Sequence, residues 1–187
     1  MRISAVSRSL WGDACILALV VILGGCTTPV SRPAGNDGSA RWAFTIAEPM
    51  IQDIAPNAEL REIVGFIVDL DGRIPANTGS WGFIAWDPAG SSITVSVDNV
   101  GTASITQRDE AAPGPGVEVP LAASWVDSIQ AFAATDGKRD QKAGFAQLVT
   151  LNFTSYPAAP GKTVWAMAFD AGPYQLVTVD GTYIGSE

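Results

Sequence analysis

The run Ala111-Ala112-Pro113-Gly114-Pro115-Gly116, closed by Pro120, constrains this chain more than any other stretch. Two successive Pro-Gly steps cannot continue a helix or a central strand. Proline brings no N–H to a ladder and its ring blocks the helical turn, while glycine adds backbone freedom that ordering must remove. The fold has to break or turn here. Residues 111–120 are therefore a linker, with residues 41–110 before it and 121–187 after it.

The two sides read alike. Trp42, Ile46 and Met50 recur at four-residue spacing, and so do Trp125, Ile129 and Phe132-Ala133. Both patterns predict a helix, the second with Asp127 near its start, where a carboxylate suits the dipole. Pro49 implies a kink, or a first helix that begins only near Glu48. Each side then offers three strands: 62–70, 81–86 and 92–97, followed by 147–153, 163–169 and 174–179. Ile93, Val95 and Val97 alternate with Thr94 and Ser96. Turns are marked by Asp71-Gly72, Asp87-Pro88-Ala89-Gly90, Ala171-Gly172-Pro173 and Asp180-Gly181. Trp42 and Trp125 lie 83 positions apart, as do Asp87 and Asp170, while Asp98 and Asp180 lie 82 apart. The expected fold is α+β: two consecutive helix-plus-three-strand antiparallel repeats, with the helices packed on one face of the sheet.

The stretches Ala55–Leu60, Gly65–Arg73, Trp81–Trp86 and Ile93–Asp98 resemble a PepSY-like repeat, in which a helix precedes strands and a Trp leads the central strand. The second side fits more loosely. Tandem helix-plus-sheet chains of this kind also resemble the β-lactamase-inhibitory-protein architecture. That resemblance implies binding of other proteins by the sheet.

Residues 1–25 read as an export signal. Arg2 and Arg8 supply a basic start, and Ala14–Leu23 form an apolar run too short for the ~20 residues that a bilayer core needs. Leu23-Gly24-Gly25-Cys26 resembles the bacterial lipobox. The resemblance implies cleavage before Cys26 and a diacylglycerol on its sulfur, holding the protein in the cell envelope. Thr27 in place of Asp implies the outer membrane, on its periplasmic face. Residues 26–40, rich in Pro, Gly, Ser and Thr, read as a flexible tether.

Composition narrows the chemistry. The 187 residues include no His and 2 Cys, and the net charge is -8. Without His there is no His-based acid–base catalysis, no Ser-His triad and little basis for a transition-metal site. With Cys15 lost and Cys26 lipidated, no thiol remains as nucleophile or metal ligand. The acidic balance argues against nucleic acid as a partner. Asp69 and Asp71 flank a strand end but lack the further ligands of a calcium loop. Gly114-Pro115-Gly116 lacks the Lys and helix of a phosphate loop. No cofactor and no metal is expected.

The aromatic residues remain. In 81–86, Trp81 and Phe83 point one way and Ile84 and Trp86 the other, so both faces are apolar. One helix layer covers only one face. Trp81, Trp86 and Ile84 are thus the candidate partner-binding residues, and packing between the two sides is the competing account. The expected function is a non-enzymatic, lipid-anchored envelope protein that binds or modulates an envelope protein or peptide partner through its sheet faces or inter-repeat groove. A structural or assembly lipoprotein without a dedicated ligand is the first alternative. A carboxylate-based hydrolase using Asp69, Asp71, Asp87 or Asp170 is the second.

Overall fold

A computed structural model of the chain describes residues 33–109, 118–139, 144–170 and 172–187. Helix α1 (Ala40–Ile54) is followed by strands β1 (Glu59–Asp69), β2 (Ser80–Asp87), β3 (Ser91–Asp98) and β4 (Ala103–Asp109). Helix α2 (Ser128–Ala133) precedes β5 (Phe145–Tyr156), β6 (Ala159–Phe169), β7 (Gln175–Thr178) and β8 (Tyr183–Ser186). The eight strands form one antiparallel sheet in the order β4-β3-β2-β1-β5-β6-β7-β8.

This overturns the expected PepSY-like pair of helix-plus-three-strand repeats. The β1–β5 ladder, with Ile63 opposite Leu151 and Gly65 opposite Val149, joins both sides of the linker into a single sheet. The reason lies in the strands. Those apolar on both faces are central strands, flanked on both edges. The two unexpected strands, β4 and β8, are sheet edges, where one neighbour suffices and the apolar signal is weak.

Helix α1 starts at Ser39, whose Oγ accepts the Trp42 N–H at 3.1 Å. It runs on through Pro49 instead of beginning at Glu48. Its buried stripe is Ala40, Ala43, Ala47 and Ile51, and three alanines bring the helix close to the sheet. Helix α2 has only six residues and a capping box between Asp127 and Gln130. Trp125 precedes it and stacks under Arg41, whose guanidinium carbon is 3.4 Å from the ring centroid.

Two indoles organise the core. Trp81 on β2 and Trp165 on β6 reach over the central strands and meet edge to face, 6.3 Å apart at 78°. Each donates to the carbonyl of the residue just before a helix cap: Trp81 to Gly38 at 3.0 Å and Trp165 to Val126 at 3.1 Å. These two occupy matching positions, whereas Trp42 lies within α1 and Trp125 ahead of α2.

Ser128 ties the helix starts to the sheet. Its buried Oγ accepts the Ala40 N–H at 3.0 Å and donates to the Gly72 carbonyl at 2.7 Å. Gly72 has φ +81, and a Cβ there would meet the Ser128 carbonyl oxygen at 2.5 Å.

Residues 36–40, expected in the tether, are fastened to the sheet. Asn36 donates to the Asn99 carbonyl at 2.9 Å, and the Gly38 carbonyl accepts the Ile74 N–H at 2.9 Å. The lipobox with Cys26, and linker residues 111–117, lie outside the described residues. Beyond them the chain runs beside β1, where the Leu121 N–H donates to the Leu60 carbonyl at 2.8 Å.

Candidate functional site

Strand alternation gives the sheet a second side, away from the helices. It carries Val64 and Phe66 from β1, Ile84 and Trp86 from β2, Thr94 and Ser96 from β3, and Leu148, Thr150 and Asn152 from β5. The helix side of the same strands presents Ile63, Trp81, Phe83, Val95, Val149 and Leu151, all fully buried.

Part of this second side is covered by the chain itself. The β5–β6 hairpin curls back toward the C-terminus. The Ala158 N–H reaches the Glu187 carboxylate at 3.3 Å, and the Tyr156 and Tyr174 rings lie 6.1 Å apart. Beneath them Ala159, Val164, Ala166 and Leu176 form a small buried cluster of their own. Over β1 to β3 the same side stays open. Phe66 is 50% exposed there, and Val64, Ile84, Thr94 and Ser96 are partly exposed. The surface is a step, with a low floor on β1–β3 and a riser made by the curled hairpin.

Glu62 sits at the foot of the riser. Its carboxylate accepts from Asn152 Nδ2 at 2.7 Å. Burial raises its pKa above the ordinary carboxylate value, and the Asn152 hydrogen bond opposes that only in part. Asn152 Oδ1 is buried without a hydrogen-bond partner. Burial also raises the Tyr156 hydroxyl, followed by the nearby Tyr174.

The sign of the Glu62 effect is definite. A raised folded-state pKa means that the folded chain binds more proton than the unfolded chain between the ordinary Glu value and the raised one. Stability therefore falls as pH rises through that window and recovers as pH drops. Glu62→Gln is expected to be more stable than the parent at neutral pH, because an amide keeps the acceptor and adds a donor for Asn152 Oδ1. One newly satisfied buried acceptor is worth ~1 kcal/mol, or a few degrees in a domain of this length. Thermal melts across pH check this, and the gap between variant and parent should close toward acid. A gap that widens toward acid would refute the assignment.

The structure sorts the residues singled out in the sequence. Trp81 is fully buried on the helix side with its N–H bonded, so it packs the core and offers a partner nothing. Ile84 and Trp86 do lie on the open side. Ile84 is partly exposed, and Trp86, opposite Ser92 and Glu59, retains 8% exposure. Asp71 pairs with Arg73 at 2.7 Å, Asp87 caps the turn at Ala89, and Asp170 accepts from Gln147. The Asp69 main-chain N–H donates to the Arg73 carbonyl across the same turn as Asp71. Of the acids named for hydrolysis, Asp69 and Asp71 share one turn, while Asp87 and Asp170 sit at other strand ends. The described residues hold no group of three acidic side chains placed to share a metal ion.

Phe66 was the residue to find. Strict alternation groups Val64, Phe66, Val68 and Leu70 on one face. The structure breaks that run at Ile67, which has φ 55, a strained value for a β-branched residue. Gly65 and Val68 consequently both face the helices, and a Cβ on Gly65 would lie 2.8 Å from Val68 Cγ2. Phe66 is left on the other side with Val64, without Val68 beside it. Gly79 backs this kink, since a Cβ there would meet the Ile67 carbonyl oxygen at 2.7 Å.

No protein-family model matches the chain, and neither the curated proteins nor the solved structures include a significant match to it.

Proposed function

We propose that this chain is a lipid-anchored cell-envelope protein that binds a protein partner through the open sheet side centred on Phe66. The observation that carries this reading is Phe66 itself, a phenyl ring half exposed beside the central ladder of the sheet. Burying the ring against the helices would contribute ~1.5–3 kcal/mol, yet alternation from Val64 sets it on the opposite side, and the strained Ile67 beside it turns Val68 to the helices instead. Strain retained next to an exposed aromatic points to use. The surroundings match the anatomy of an interface. Val64 and Ile84 extend the apolar centre, and Thr94, Ser96 and Thr150 form an uncharged polar rim. The riser supplies an edge against which a partner docks. The lipobox motif at Leu23–Cys26 supports the anchor.

A photoreactive benzoylphenylalanine placed at position 66 is expected to give a discrete crosslinked protein band in cells. The same residue at Asp53, exposed on α1, should give none. Phe66→Asp should weaken the association by at least ~2 kcal/mol, roughly thirtyfold, with the melting temperature unchanged. No band at 66, or a band equal to that at 53, would favour a structural lipoprotein without a dedicated partner.

A further inference from the structure

A second concavity lies on the helix side, independent of the Phe66 surface. It is a groove of about 410 Å³ between α1 and the segment Pro120–Trp125. That volume is within the range of small-molecule sites. Its floor is apolar: Phe44, Leu60, Ala85, Leu121 and Trp125. Phe44 and Trp125 meet edge to face at 5.9 Å, so the floor is aromatic at one end.

The polar groups of the groove are mostly acceptors; Gln52, exposed on the α1 wall, carries an amide that both donates and accepts. Of the two cations nearby, Arg41 lines the groove and is coupled electrostatically to Glu48, and both have hydrogen-bond partners of their own. Arg41 lies over the Trp125 ring and donates to the Trp125 carbonyl. Arg61 donates to Glu59 at 2.7 Å and to the Glu118 carbonyl. The Thr45 hydroxyl hydrogen goes to the Trp42 carbonyl at 2.7 Å, which leaves its oxygen as an acceptor. The Thr45 carbonyl lacks the usual N–H from four positions on, because that residue is Pro49. Glu48, one turn along the same wall, forms no ion pair within 4.0 Å among the described residues. An exposed carboxylate and the Thr45 oxygens above an apolar floor fit a cationic donor head group. A primary ammonium has three N–H donors, a positive charge and no acceptor.

We infer that this groove binds a primary amine carrying an apolar, aromatic-sized body, with its ammonium held by Glu48 and the Thr45 oxygens and its body laid against Phe44, Leu121 and Trp125. The net charge of -8 favours the same sign of ligand.

The test uses the full chain in phosphatidylcholine nanodiscs, with empty nanodiscs as the blank. Titration calorimetry is run with three probes of one body: 4-phenylbutylammonium, 4-phenylbutanol and 4-phenylbutyrate. Saturable one-to-one binding of the amine, at least tenfold tighter than of the alcohol or the acid, is expected. Glu48→Gln should weaken the amine at least fivefold and leave the alcohol unchanged. Ala122→Trp, which fills the groove from its exposed wall, should abolish binding of the amine and the alcohol while an unaltered melt shows the fold intact. No saturable binding, equal binding of amine and acid, or amine binding indifferent to both variants would overturn the inference.

Discussion

Gly65→Ala is expected to destabilise the protein by about 3 kcal/mol, at the upper end of overpacking costs. In a domain of this length that is a drop of roughly 6–12 °C in melting temperature. An added methyl would sit 2.4 Å from Trp81 Cζ3, 2.8 Å from Cη2 and 2.8 Å from Val68 Cγ2. Something must move, and little can. The Trp81 indole is held by its bond to the Gly38 carbonyl and by the Trp165 ring. Shifting it breaks a buried hydrogen bond and an aromatic contact together. Trp81→Phe in the Gly65→Ala background removes the clashing atoms, so the double variant should be less destabilised than the sum of the singles by more than ~1 kcal/mol. Chemical and thermal melts of the four proteins measure this. Simple additivity would show that Gly65 is not there to admit the indole.

Cys26→Ser is expected to abolish lipid incorporation altogether. Each buried methylene is worth ~0.8 kcal/mol, and one acyl chain alone holds a protein only marginally, so an anchor of this type depends on the diacylglycerol. The measurement is labelling with a clickable fatty acid in cells, read beside the size of the processed chain. The parent should be labelled and shortened, and the serine variant should be neither. Labelling equal to the parent would remove the anchor and leave the Phe66 reading standing. A chain begun at Pro33 should remain in the aqueous phase with an unchanged melt, because the described contacts begin at residues 33–36.

The strands β1, β2, β3, β5, β6 and β7 were legible because each carries an apolar pattern bounded by Asp, Gly or Pro turns. The register of β3 followed directly from Ile93, Val95 and Val97. Strand β4 was not legible, since Ala103–Asp109 contains a single large apolar residue, Ile105, and that one is 43% exposed. Strand β8 is four residues long and includes Gly185. The pairing of β1 with β5 could not be read at all. It joins residues 76 to 88 positions apart, and nothing local in either strand names the other. The same holds for the site. Two apolar faces on β2 correctly marked the strand as unusual, but which face was buried depended on where α1 lay. Trp81 therefore went inward and Ile84 outward. Phe66 was hidden within an apolar face Val64-Phe66-Val68-Leu70, because alternation does not anticipate the irregularity at Ile67 that turns Val68 inward. The Trp pair that matches is Trp81 with Trp165, set by the helix caps that receive their N–H groups and not by the 83-residue spacing of Trp42 and Trp125.

The Ser128 hydroxyl has a bearing on how the chain matures. It receives the start of α1 and holds the turn after β1, so the early helix has its cap region completed only by a residue from the late half. Strand β1 likewise waits with one edge unpaired until β5 is made. Such long-range closure is slow, and an open strand edge invites wrong partners. A chain threaded through a membrane from its N-terminus would emerge with its first half unable to lock. On the proposed route through a membrane, the inner edge of β1 would stay open until β5, residues 145–156, had also emerged.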